Sequence, residues 1–254
     1  MLKLHYYIIV VYYFTIFAKR RAMKYDYITK YDHLKEGLNR NGFVLKNKNH
    51  FSREADDCIL SIDFVHSVPM PKVRDYNIMI SVKYPKAVYV GHELDVSTVG
   101  IIGANIGYLS PLNTYKVWRV ADIDEENLIL TIIDDMLIYI ENYALPFLKK
   151  YSILENTIHE IEVANRLFTP GSDYNLPIFY LLNNDKKNAL SFLKRELAKK
   201  ESRAHKAYDD CPIPNKISID EKSSPSYRAL NEYKEFAKKI IDNWERLSKV
   251  RKNL

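Results

Sequence analysis

Histidine and acidic side chains lie close together at residues 91–95, which read Gly-His-Glu-Leu-Asp. Imidazole and carboxylate groups are common metal ligands, but protein metal sites usually combine ligands from separate segments. The sequence contains no second group of metal ligands that could join this cluster, such as a His-x-x-x-His pair or paired cysteines. We therefore interpret residues 91–95 as a loop, and we expect neither a metal ion nor a cofactor.

A second motif with possible chemistry is the glycine-rich segment that contains Gly100, Gly103 and Gly107. Its spacing matches neither the dinucleotide-binding motif Gly-x-Gly-x-x-Gly nor a lysine-bearing P-loop, and no β-α-β unit surrounds it. Glycine also occurs where a strand bulges or bends, and we favour that interpretation. The sequence carries no recognisable serine or cysteine nucleophile motif, so it predicts no catalytic residue.

The candidates for an interaction patch are Arg53, Asp63, His66 and Arg119. We expect the first three to line the exposed face of a sheet. Side chains alternate between the faces of a strand, so Trp118 is expected in the core and Arg119 on the opposite face. A guanidinium there suits a carboxylate, a phosphate or an acidic protein surface. The simpler alternatives are a solvated sheet face and an arginine paired with a neighbouring acid.

The last predicted helix, at about residues 227–248, has an apolar stripe that includes Tyr233 and Trp244. An isolated helix would leave this stripe in water, so it needs a partner surface. The stripe either packs back on the domain or binds another chain. We favour packing on the domain and keep Tyr233 and Trp244 as candidate interaction residues for the second case.

The net charge of +6 is unevenly distributed. Residues 1–22 carry +4 and residues 185–254 carry +7, which leaves −5 for residues 23–184. A basic face suits nucleic acid, but a modest basic tail is more often a solvated helix. Nucleic-acid binding is therefore the alternative hypothesis. The basic residues that it would use are Lys186, Lys187, Lys194, Arg195, Lys199, Lys200 and Arg203.

Residues 4–18 form an apolar, aromatic run that is followed by Lys19, Arg20 and Arg21. A membrane span needs about 20 apolar residues, and a signal peptide has its basic residues before the apolar run and a cleavage site after it. The run fits neither pattern well. A short membrane anchor whose basic flank stays in the cytoplasm is kept as an alternative interpretation. Codons for residues 19–22 can also form a ribosome-binding sequence before Met23. We expect translation to start at Met23, with membrane contact only if residues 4–18 are translated.

Periodicity predicts an α+β fold: a mainly antiparallel sheet of about four to five strands, packed by an N-terminal helix and a long following helix, with additional C-terminal helices. Alternation predicts strands at residues 57–66 and 76–84, because apolar side chains recur at every second position. Residues 68–71 are expected to form a loop. From residue 124 the apolar spacing becomes helical, and Pro146 is expected to kink or end that helix.

The expected organisation has five parts. An apolar leader at 1–22 precedes an α+β domain at 23–167 and a helical extension at 168–203. A proline- and serine-containing linker or long loop follows at 204–226, and an amphipathic helix follows at 227–254.

The order of elements resembles a bacterial family known as domain of unknown function 4304, over about residues 27–166. The resemblance rests on a first helix that ends in Asn41-Gly42-Phe43, on Phe51 followed by Arg53, on the two alternating strands, on Trp118-Arg119, and on a long helix that reaches residues 144–148. It implies a compact α+β fold and implies no reaction. Small domains of this kind often act as immunity proteins beside toxin genes, which is an analogy at the level of the fold.

The leading functional hypothesis is a non-enzymatic module that binds another protein, as an immunity or accessory factor. The alternatives are a nucleic-acid-associated protein and an enzyme with a site on the open sheet face. The two cysteines, Cys58 and Cys211, are far apart in the sequence and do not form a disulfide scaffold. The lack of such a scaffold is typical of a cytoplasmic protein.

Overall fold

A computed structural model of the chain describes residues 28–97, 99–121, 124–164, 172–209 and 225–249. The predicted leader and Cys211 lie outside these residues. The α+β class is confirmed, since one antiparallel sheet is packed by an N-terminal helix, a long helix after the sheet and further C-terminal helices.

The sheet contains six strands within the described residues, one more than the largest number expected. The strands are β1 (Val44–Asn47), β2 (His50–Ala55), β3 (Cys58–Met70), β4 (Val73–Lys83), β5 (Ile101–Asn105) and β6 (Trp118–Ala121). The order is β1-β2-β3-β4-β5, and β6 pairs with the first residues of β4. β3 and β4 therefore form a long hairpin that holds the sheet together.

The helices surround this sheet and extend beyond it. They are α1 (Asp32–Arg40), α2 (Pro85–Glu93), α3 (Glu126–Tyr139), α4 (Leu145–Tyr151), α5 (Leu154–Ala164), α6 (Ser172–Leu182), α7 (Lys186–Asp209), α8 (Pro225–Asp242) and α9 (Trp244–Ser248). α1 ends where the sequence predicts, because Gly42 adopts a φ of 79° that allows the chain to turn into β1.

The alternation in β3 and β4 defines two faces of the sheet. Cys58, Leu60, Ile62 and Phe64 are buried, as are their partners along β4. These residues form the core face, which packs against the helices. The opposite face is named the outer face. Its residues in the middle of β3 are Ile59, Ser61, Asp63 and Val65.

The long helix after the sheet is continuous with a π-helical turn at Ile140–Ala144. Proline lacks a backbone N–H and collides with the carbonyl group four residues earlier in a regular helix. The wider turn lies directly before Pro146, in the first turn of α4, so the chain passes the proline without ending the helix. The helix therefore does not end at Pro146 but continues into α4 through a π-helical turn.

One connected apolar core runs from Ile28 to Leu247. It joins the sheet to the C-terminal helices, with α8 packed against α7 and α9 against α6. The apolar stripe of the last helices is therefore covered by the chain itself, as the favoured interpretation predicts. Asn243 separates α8 from α9, which were expected as one helix.

Three local predictions differ from the structure. Residues 68–71 are not a loop, because β3 continues to Met70 and the turn lies at Pro71 and Lys72. Residues 91–93, which were expected in a loop, are the last residues of α2, a helix that the sequence does not predict. Residues 204–209, assigned to the linker, continue α7. No helix among the described residues is long and apolar enough to cross a bilayer.

Candidate functional site on the outer face of the sheet

A row of small side chains crosses the centre of the outer face. The sheet register aligns Ser52 with Ser61, Ser61 with Ser81, and Ser81 with Gly103 across four neighbouring strands. A Cβ atom at Gly103 would lie 2.5 Å from the carbonyl oxygen of Ile80, so only glycine fits there. The centre of this face therefore carries small side chains, and two of them, Ser52 and Ser61, are buried at 5% and 6% exposure.

His50 and Asp63 occupy the next row and form a hydrogen bond of 2.7 Å between Nδ1 and a carboxylate oxygen. Both side chains are about one-third exposed. Sequence reasoning missed His50, because His50 and Asp63 meet only through the β2–β3 register. A histidine oriented by an aspartate resembles part of a catalytic triad, but no described serine hydroxyl bonds to the other ring nitrogen, so the pair is not an assembled nucleophilic site.

The expected grouping of Arg53, Asp63 and His66 on one exposed face is wrong. Asp63 lies on the outer face, whereas Arg53 pairs opposite Leu60 and His66 opposite Tyr76, both on the core face. Arg53 donates to the carbonyl oxygen of Asn41 at 2.9 Å and stabilises the turn after α1.

His66 lies at the border of the core and packs against the ring of Tyr76, with 5.8 Å between ring centroids. Burial lowers the pKa of His66 below its ordinary value, and the nearby Arg74 guanidinium adds to the effect. The partly buried imidazole of His66 therefore serves mainly as a packing group beside Tyr76.

Trp118 and Arg119 lie on opposite faces, as predicted. Trp118 is buried, and its indole N–H donates to Asp135 at 2.6 Å. Arg119 lies on the outer face and makes two hydrogen bonds to Asp75, at 2.7 and 2.9 Å. These bonds lower the pKa of Asp75. Arg119 is therefore paired with a neighbouring acid, which was the simpler of the two alternatives, and its guanidinium is not free to bind another anion.

Apolar side chains remain exposed around the serine row. Met70 joins them because a register shift after Ser67 pairs it with Val73, which shares the outer face with Asp75. The exposed fractions are 55% for Val44, 39% for Val65, 52% for Met70 and 48% for Ile101. None of the four belongs to the core. The outer face thus carries four exposed apolar side chains at separate positions, whereas Ser52 and Ser61 near its centre are buried.

Tyr233 and Trp244, the other two candidate interaction residues, are 0% and 2% exposed. The Tyr233 hydroxyl donates to the carbonyl oxygen of Asp173 at 3.0 Å, and Lys186 approaches the Trp244 ring. Both residues belong to the core between the C-terminal helices. They do not present a surface to another chain in this structure.

The basic residues of α7 do not form one surface. Four are close to carboxylates: Lys186 to Glu245, Arg195 and Lys199 to Glu196, and Lys200 to Asp173.

Lys187, Lys194 and Arg203 have no such partner in the described part of the chain. Lys194 and Arg203 are nine residues apart, which places them on opposite sides of a helix. This arrangement lacks the continuous basic face that binding to a phosphate backbone uses.

Cys58 is a buried free thiol at the start of β3. Burial raises its pKa to about 11, with further contributions from Asp57 and Asp56. The thiolate is the reactive form, so Cys58 is expected to resist alkylation by iodoacetamide at pH 8 in the native protein and to react in urea. Peptide mass spectrometry measures this directly. Rapid native labelling of Cys58 would contradict the structure.

No group of three or more His, Cys, Asp or Glu side chains in the described residues is arranged to hold a metal ion. Comparisons with family models, curated proteins and solved structures found no match.

Proposed function

We propose that this chain is a non-enzymatic protein-binding module of the immunity or accessory type, and that the outer face of the sheet contacts its partner. The observation that carries the proposal is the exposure of Val44, Val65, Met70 and Ile101 on the outer face. These side chains share one face but lie at separate points, since Ile101 and Met70 pair with opposite ends of β4, so the proposed contact spans the length of the sheet. A cytoplasmic location and membership of the resembled family are part of the same proposal.

The size of the face supports this function. Strands lie about 4.8 Å apart and rise about 3.3 Å per residue, so the five-stranded part and the β3–β4 extension together cover roughly 600 Å². A standard protein interface buries about 800 Å² on each partner, so an interface that used the whole face would lie near the lower end of the specific class. The Asp75–Arg119 and His50–Asp63 pairs add polar groups to the same face.

The test introduces charge into the face. The double variant Val65→Arg/Ile101→Arg is expected to weaken binding of a partner by at least about tenfold, because two apolar contacts become charges that must lose water. The matched control is Leu128→Arg/Val163→Arg, which makes the same change at exposed positions on α3 and α5.

Partners are captured from the source cell with the tagged full chain, and each is then measured as a purified protein by titration calorimetry. A partner whose affinity falls in the first variant and stays unchanged in the control supports the proposal. Equal affinities in all three proteins, or an equal loss in both variants, would reject the outer face as the binding surface.

A further inference from the structure

A groove with a volume of about 670 Å³ lies between α8 and the turn after α2, away from the outer face. Leu94, Val96, Tyr174 and Phe236 provide its apolar and aromatic lining. The rings of Tyr174 and Phe236 meet edge to face with centroids 4.8 Å apart, which gives the groove a packed base. Its volume is within the range of protein ligand sites.

The polar wall of the groove comes from one side of α8. Arg228, Glu232, Glu235 and Lys239 recur at intervals of three to four residues and therefore share that side. From Arg228 to Lys239 the helix rises by about 16 Å. A groove of this length along a helix suits an elongated ligand such as a peptide segment.

The charges in the groove are not balanced internally. Lys239 bonds to Asp95 at 2.6 Å, and this pair holds α8 to the turn after α2. Two carboxylates and one guanidinium in the groove have no ion pair within the described part of the chain. They belong to Glu232, Glu235 and Arg228. The field of Glu232 also reaches the base of the groove, where burial, Asp173 and Glu232 raise the pKa of Tyr174.

We infer that this groove binds a basic peptide segment of a partner protein, with an apolar side chain against the partly exposed Tyr174 and Val96 and a lysine or arginine between Glu232 and Glu235. Charge complementarity favours a basic segment, because outside the Lys239–Asp95 pair the groove carries two carboxylates against one guanidinium. The inference concerns a different surface from the proposed outer-face contact and does not depend on it.

The experiment uses two fluorescent peptides, one alternating lysine with leucine and one alternating glutamate with leucine, titrated against the full chain by anisotropy. The lysine peptide is expected to bind and the glutamate peptide is not. Glu232→Gln/Glu235→Gln is expected to weaken binding of the lysine peptide about tenfold and to reduce its salt dependence, since two exposed charge pairs are lost.

Two controls make the outcome specific. Glu36→Gln/Glu141→Gln removes the same charge from exposed positions on α1 and the π-helical turn, and it should bind the lysine peptide as the wild type does. The outer-face variant Val65→Arg/Ile101→Arg should also retain peptide binding, which separates this site from the proposed function. Absence of binding at 0.5 mM protein (roughly the weak end of specific recognition), equal binding of both peptides, or an equal loss in the two glutamate variants overturns the inference.

Discussion

Replacing Trp244 with alanine is expected to lower the free energy of unfolding by about 3–5 kcal/mol, the range for removing a large aromatic side chain from a well-packed core. Trp244 is almost fully buried where α9 meets α6, and it belongs to the same connected core as the sheet. The loss should therefore appear in the unfolding of the whole protein and not in a separate C-terminal transition. Urea denaturation followed by circular dichroism and by a probe on the sheet measures both quantities.

The control for this prediction is Ile241→Ala in the last turn of α8. Ile241 is 45% exposed, so its replacement should change stability by less than about 1 kcal/mol. The comparison also tests the domain organisation. If the last helices formed an independent appendage, Trp244→Ala would leave the sheet's unfolding midpoint at its wild-type value.

Stability is expected to fall steeply above about pH 10, because Tyr84 and Tyr233 are buried phenols with raised pKa values. Burial is the main cause in both cases, and Asp173 adds to it at Tyr233. The folded pKa lies above the unfolded value, so both groups stay protonated in the native state while the unfolded chain loses protons. The stabilising contribution of these two phenols is fully present below about pH 10. It is lost as pH rises toward the folded pKa, by about 1.4 kcal/mol per pH unit for each tyrosine.

Tyr84→Phe separates the two effects of this hydroxyl. At pH 7 the variant should be less stable by about 1–3 kcal/mol, because the hydroxyl donates to the carbonyl oxygen of Tyr151 and lies 2.7 Å from the Thr157 hydroxyl. Above pH 10 its stability should decline with a shallower slope than that of the wild type.

The measurement is urea denaturation at several pH values between 9 and 11.5. Tyr89→Phe changes an exposed phenol and serves as the control, with the wild-type slope expected. Parallel slopes for Tyr84→Phe and the wild type would show that Tyr84 does not carry this pH dependence.

Local pattern was enough to predict the class of fold and much of its core. The alternation in residues 57–66 and 76–84 predicted β3 and β4 and their buried face, since a period of two can bury only one side of a strand. The position of Gly42 predicted the end of α1, because few other residues adopt a positive φ. The same reasoning placed Trp118 in the core and Arg119 opposite to it.

Helix α2 shows where local pattern was insufficient. Residues 85–93 contain Val88, Tyr89 and Val90, which favour strands, and the segment follows a strand directly. Its helix depends on Pro85 in the first turn and on burial of one side against α6. Tertiary packing overrode the intrinsic preference, and it also moved residues 91–93 from the expected loop into a helix.

The sequence alone determined which residues avoid water, through the spacing of apolar side chains along each element. Tertiary structure decided which polar residues meet. His50 reaches Asp63 and Arg119 reaches Asp75 only through strand register, and Lys239 reaches Asp95 across 144 positions of the chain. A hydrophobic pattern repeats locally and can be read from neighbours, whereas a pairing between distant side chains depends on how all the elements pack together.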